Sequence, residues 1–364
     1  MDRMDRAQFF TKLAPMDEEH LRKTLWNLYW RGTAAVRQRI EAELEPGRTP
    51  ARVKPERVDP DSILDEVRDF VALARSGAYI AGDRRVSPKQ RSRWRFTFRQ
   101  LLADARTALL TDDGTAGATA LEALIDLARE VYDVDYFRSD DPIEAAKIVV
   151  SDEVALLWGR ILERRGFPAF AEQAAGQLIR WESRYGWTRR GDGQVAEKET
   201  SLATVLAGLL PVPDAWTTFT DAYLAELDRL AAPGRATPTR PWQTRDYERE
   251  GRTRSLAEWH SQVVERLVDG EAADRLDRLT THPALAGPEL TFLQAQLARR
   301  RGQLGRARDL THESLTHLPG HQGFLEFAAE LAAPLPWRAE EIAAERAHLA
   351  PPPSVTGRPV RAST

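Results

Sequence analysis

A chain of 364 residues is longer than one hydrophobic core usually fills, so its length predicts two or three domains. Its composition, 42% hydrophobic and 29% charged with both signs mixed, is that of a folded, well-solvated protein, and a formal net charge of -3 directs the whole molecule toward neither nucleic acid nor a membrane surface. The absence of cysteine excludes disulfides, thiol nucleophiles, cysteine-held iron–sulfur clusters and thiolate zinc sites.

The opening residues Met1-Asp2-Arg3-Met4-Asp5-Arg6 carry mixed charge and lead into no apolar h-region. No run approaches the about 18 apolar residues of a spanning helix. A cytoplasmic protein with no membrane partner is therefore expected. Only six of the 52 basic residues are lysine, a bias typical of GC-rich bacterial coding.

The first helix is expected near Pro15-Met16-Asp17-Glu18, where Asp17 can cap free amides, with Leu21, Leu25 and Leu28 on one face. Trp26, Tyr29 and Trp30 are expected to pack in a core or between helices. Gly32 interrupts the run before Val36, Ile40 and Leu44 resume it. Prolines at 46, 55 and 60 mark a linker over 46–59, because each removes an amide donor and biases its predecessor away from helix. Asp59-Pro60 then reads as cap and first helical residue, followed by the stripe Ile63, Leu64, Val67, Phe70, Val71 and Ala74.

Ser87-Pro88-Lys89-Gln90 has the residues of a capping box and opens a long segment whose apolar face is Trp94, Phe98, Leu101, Leu102, Ala105 and Leu109. Further helices are predicted over 118–131, 142–165 after the cap Asp141, 167–185, 201–210 and 214–230. Strand-like alternation is scarce. Its best case is the polar loop 186–193, readable as a small hairpin or an extended loop. The stretch 232–254, with Pro233, Pro238 and Pro241, breaks the helical pattern and reads as a linker. The expected organisation is thus an N-terminal helical unit over 1–45, a middle helical domain over 60–231, a helical domain over 255–349, and a disordered tail over 351–364.

Between about 288 and 332, Ala295, Gly302, Ala307, Ser314 and Pro319 stand at spacings that let two helices approach, turn back and stop. In these positions the segment resembles a tetratricopeptide helix pair, a unit of about 34 residues. Thr291 and Ala298 stand where large side chains are usual, and Thr311 replaces the usual aromatic. Residues 256–279 read as a shorter copy, and Phe324, Phe327, Leu331 and 337–349 as helices able to cap the stack. The resemblance covers about a quarter of the chain and implies a tetratricopeptide-like α-solenoid segment there; with the helical patterning of the rest, the expected fold is all-α, a helical bundle followed by that segment.

The residues offer little catalytic chemistry. Among seven histidines only His317 and His321 stand four apart, with Pro319 between them, so exposed loop and cap positions are expected rather than a metal pair. The acidic clusters at 112–113, 133 with 135, and 140–141 precede helices or lie in loops, where capping and solvation explain them. No phosphate loop, nucleophile elbow, zinc-helix pair or kinase set occurs. No catalytic residue, metal or cofactor is expected. The basic stretch Arg84, Arg85, Lys89, Arg91, Arg93, Arg95, Arg99 and Arg106 stands apart, and Arg91, Arg95 and Arg99 align four residues apart beside the Trp94/Phe98 face. Such a row reads either as a solvated flank paired with acidic neighbours or as a contact for phosphates or an acidic protein.

The leading expectation is a non-catalytic helical-repeat protein that binds another protein in the groove of its first helices, with Gln294, Arg299 and Arg300 as contact residues. A nucleic-acid-associated protein using 84–106, and an enzyme of unrecognised type, are the alternatives.

Overall fold

The computed structural model describes residues 6–31, 40, 59–80, 83–182, 193–232, 245–268 and 273–349. The fold is all-α: 16 helices and no strand among the described residues. Two compact units are present, Met1–Val58 and Asp59–Thr364. The readings of 33–39 and 41–58 as helix and linker, of 186–192 as hairpin or loop, of 233–244 as linker, and of the tail past 349 lie outside the described residues.

In the first unit, α1 (Arg6–Leu13), which no sequence signal announced, precedes α2 (Glu18–Arg31). Asp17 accepts the His20 amide at 2.7 Å, as a cap should. The aromatic residues of α2 do not form a core. Trp26 stacks on Tyr29 and Trp30 at 5.7 and 5.9 Å, yet Trp26 and Trp30 are 58% and 69% exposed, and Leu21, Leu25 and Leu28 are exposed too. The expectation of buried aromatics here is corrected: an amphipathic pattern shows that a face can be covered, not that this chain covers it.

The second unit begins with α3 (Pro60–Arg75), where Asp59 accepts the Asp61 amide and the stripe Ile63, Val67, Phe70, Val71 and Ala74 is buried. The capping box forms at α4 (Pro88–Leu109): the Gln90 amide donates to Ser87 Oγ and the Ser87 amide to Gln90 Oε1. Trp94, Phe98, Leu101, Leu102 and Ala105 dock this helix onto α3 and α5 (Thr115–Glu130). Phe137, in the loop after α5, stacks on Trp94 at 4.1 Å and closes that core.

Helices α4 and α5 approach closely because position 117 has no side chain. A Cβ built on Gly117 would lie 2.1 Å from the Leu109 amide nitrogen and 2.4 Å from the Ala108 carbonyl carbon. Backbone cannot rotate out of the way as a side chain can. Gly117→Ala is therefore expected to destabilise by about 1–3 kcal/mol in a denaturant titration, even though alanine is the better helix former by about 1 kcal/mol. A stability gain would show that the two helices can separate at no cost.

The single helix expected over 142–165 is two. Helix α6 (Pro142–Ala146) ends at Lys147, which takes a left-handed φ of 54° while its amide and that of Ile148 return to Glu144 and Ile143. Helix α7 (Val150–Trp181) then restarts and is interrupted once, at Gly166. The reason for the restart lies far along the chain. The carboxylate of Glu199 accepts the Val150 and Ser151 amides at 2.5 and 2.9 Å, capping α7 where its own cap residue, Val149, cannot. Glu199 is nearly buried, and that burial raises its pKa against the lowering effect of the amides.

Helices α8 (Leu202–Leu209) and α9 (Pro213–Ala231) follow. Residues 245–254, read as linker, belong to helix α10 (Arg245–Ser255), leading into α11 (Ala257–Leu267) and α12 (Ala273–Thr280). A string of aromatic contacts runs from α7 through α9 to α11: Trp158 to Phe170 at 6.5 Å, Phe170 to Phe219 at 6.0 Å, and Phe219 to Trp259 at 5.2 Å. Helices on both sides of 233–244 thus share one core. Arginine ties reinforce this, Arg275 with Asp221 at 2.7 Å and Arg278 with Asp228. The remaining helices are α13 (Pro288–Arg300), α14 (Leu304–His317), α15 (Gln322–Leu331) and α16 (Trp337–Leu349).

Candidate functional site

The first helices α11, α13 and α15 begin at Ala257, Pro288 and Gln322, steps of 31 and 34 residues. Each is followed in the chain by another helix, α12, α14 and α16; α12 packs on α11 and α14 on α13, whereas α16 packs on α14. Helices α13 and α14 pack against each other along their length. Ala295, Ala298 and Ala307 are buried between these helices and let their axes approach. The turn at Gly302 has φ 74°, and the Gly302 and Gln303 amides return to Arg299 and Ala298 at 2.9 and 2.8 Å, the double closure that ends a helix through a left-handed glycine. Thr311 is fully buried without the bulk of an aromatic, and its hydroxyl donates to Ala307. Bulk comes instead from the next pair, where Phe327 and Leu331 of α15 join the alanine cluster.

The first helices also meet one another. Between α11 and α13, Ser261 donates to Gln296 at 3.1 Å and Arg300 lies 3.6 Å from Glu265. Between α13 and α15, Phe292 stacks on Phe324 at 4.3 Å, while Arg299 pairs with Glu330 at 2.5 Å and lies over the Phe327 ring. Arg299 and Arg300 are exposed, and their acidic partners Glu265 and Glu330 are exposed as well. Together they form a row that alternates acid, base, base, acid across three helices. Gln294 stands elsewhere. Its amide donates to the Thr280 carbonyl at the end of α12 at 2.8 Å, and the side chain is half-buried, so it joins neighbouring pairs instead of facing solvent with the two arginines.

On α4, Arg95 and Arg99 place their guanidinium carbons 5.0 and 4.9 Å from the centre of the Phe96 ring, which is 49% exposed. Arg91 is half-buried and donates to the Asp83 carbonyl at 3.4 Å, with its charge felt by the Asp83 carboxylate. Arg106 belongs to a different environment. It pairs with Glu153, whose carboxylate is buried in α7, so it serves packing. The expected pairing with acidic neighbours holds, in this stretch, for Arg85 with Asp83 and for Arg106, not for the Arg91, Arg95, Arg99 row.

Three polar arrangements had no sequence signal. An open cleft of about 670 Å³ between α5, α7 and α9 is lined by Arg165, Gln173, Gln177, Arg180, Glu226 and Arg229. At Gln177 the Trp158 indole N–H donates to Oε1 at 2.8 Å, which fixes the amide orientation and leaves Nε2 buried without an acceptor. Between α9 and α11, Tyr223 and His260 are both buried and share a hydrogen bond of 2.7 Å. Burial alone lowers the His260 pKa to about 3, and burial raises that of Tyr223 against the opposing charge of Arg252. His282, also buried, has Nδ1 accepting the Ala284 amide, which leaves Nε2–H to donate to Asp228 at 3.1 Å. Burial lowers its pKa and Asp228 opposes that. Residues that meet only in the tertiary fold cannot be paired by spacing.

The acidic clusters act as local partners: Asp141 accepts the Ile143 and Glu144 amides, Asp113 the Thr115 hydroxyl, and Asp133 pairs with Arg129. His321 caps α15 through the Phe324 amide and stacks on that ring at 3.9 Å. Among the described residues no group of three histidine or acidic side chains is placed to hold a metal ion, and no helix is long and apolar enough to cross a membrane. No protein-family model matches the chain, and no curated protein or solved structure matches it.

Proposed function

We propose that the chain is a non-catalytic protein of the tetratricopeptide-like kind that binds another protein along the exposed face of α11, α13 and α15. The reading is supported by one observation: three helices that start at steps close to the length of a tetratricopeptide unit are joined by side-chain contacts, α11 to α13 and α13 to α15, with Arg299 and Arg300 exposed on the middle one. Stacked first helices form a surface that accepts an extended or helical segment, and side chains along it select the segment by charge. Here the central pair is basic and its flanks are acidic, which favours a segment with an acidic centre.

Arg299→Glu with Arg300→Glu tests this. The ion pairs lost are solvent-exposed and contribute about 0–1 kcal/mol each, so the melting temperature should hold. Affinity capture from a cell extract, read by mass spectrometry, should return a partner with the wild-type chain and lose it with the double variant. A partner retained equally by both proteins would place its contact elsewhere and overturn the reading.

A further inference from the structure

The exposed side of α4 is independent of that face. From Arg84 to Ala103 the chain carries seven basic side chains and no acidic one. Among the described residues, the ion pairs of this stretch are confined to Arg85 with Asp83. Lys89, Arg93 and Arg95 are exposed, Arg91 and Arg99 half-exposed. The other side of the helix is anchored: Trp94 is 4% exposed and Phe98 fully buried. Successive members of the Arg91, Arg95, Arg99 row rise by about 6 Å, four residues at 1.5 Å each. The row is therefore a ladder of cations in which, among the described residues, Arg91, Arg95 and Arg99 form no ion pair, and only Arg91 has an acidic residue, Asp83, near its charge.

Phe96 is the second observation. A phenylalanine that belonged to the core would share the burial of Trp94 and Phe98, and this one is half in solvent with two guanidinium groups over its ring. Cation–π contact holds the guanidinium planes near the ring and leaves an Arg-Phe-Arg cluster presented outward. Phosphates need only the cations. An aromatic surface in their midst fits a partner that offers flat π-faces together with regularly spaced negative charge, and an unstacked nucleic-acid strand offers both.

We propose that the outer face of α4 binds single-stranded nucleic acid, with Arg91, Arg95 and Arg99 contacting phosphates and Phe96 giving a base a surface to stack on. Duplex nucleic acid would use the cations and leave Phe96 idle, and an acidic protein would supply charge without the repeated π-faces.

The test uses the full chain and a fluorescein-labelled 20-nucleotide oligo-dT, with binding measured by anisotropy from about 50 to 200 mM KCl. Affinity should fall as salt rises. The variant Arg91→Gln with Arg95→Gln and Arg99→Gln should show a log–log salt slope shallower by about 2, since each lost contact removes about 0.7. Phe96→Ala should weaken binding about tenfold with the slope unchanged, because stacking is not a counterion effect. Both variants lie outside the core and should melt like the wild type, and neither touches Arg299 or Arg300, so partner capture there is unaffected. Equal binding by wild type and variants, or none at 50 mM KCl, overturns the proposal. Equal affinity for polyglutamate would reduce the face to a general polyanion contact, and binding to phosphatidylserine vesicles without binding to oligo-dT would assign it to a membrane surface; each is likewise an overturning result.

Discussion

Replacing Trp158 by alanine is expected to cost about 5 kcal/mol of folding stability, close to the whole stability of many domains. Two losses combine. The indole is fully buried between Phe170 and Trp181, so its removal opens a cavity in the core that links α7 to α9. Its N–H is also the partner of Gln177 Oε1, and the Gln177 Nε2 already lacks one, so truncation strands an entire buried amide. Trp158→Phe separates the two effects. It keeps most of the ring and removes the donor, and should cost about 1–3 kcal/mol. Urea unfolding of the three proteins measures both steps. A loss below about 2 kcal/mol for the alanine variant would mean that α7 and α9 repack around the gap.

Stability should also fall as the solution is acidified, with His260 as the main titrating group. Its folded-state pKa is about 3 because burial penalises the charged ring, whereas an exposed histidine titrates near 6.5. Between those values the unfolded chain binds a proton that the folded protein refuses. The contribution is present in full above pH 6.5 and is lost progressively as pH falls toward 3, amounting to about 3 kcal/mol between pH 7 and pH 4. His282, lowered by burial against Asp228, acts in the same direction, while Asp126 and Glu199, raised by burial, act in the opposite one. The comparison is therefore between wild type and His260→Gln, in which those groups cancel. The variant should lose stability more shallowly over this range. Parallel curves would show that protonated His260 is accommodated in the fold.

The sequence by itself determined the all-α class, most helix limits and the local devices that start and stop helices. Asp59, Ser87 with Gln90, Asp141 and Gly302 act within three or four residues of where they stand, so spacing reveals them. The tertiary structure decided whatever depends on groups far apart in the chain. Glu199 breaks a helix 49 residues earlier by capping Val150, which periodicity could not register because Ile143, Ala146, Val150 and Val154 keep one apolar face across the break. Arg91, Arg95, Arg99 and Arg106 look alike in sequence, yet a buried carboxylate on another helix takes Arg106 alone. Gln294 differs from Arg299 and Arg300 in the same way, since its amide meets the end of the preceding helix pair. Trp26, Trp30, Trp94 and Trp158 share a residue type that prefers burial, but only the last two are buried. Local propensity and capping are short-range and legible in order, whereas burial and pairing are properties of the packed whole, set by which elements meet.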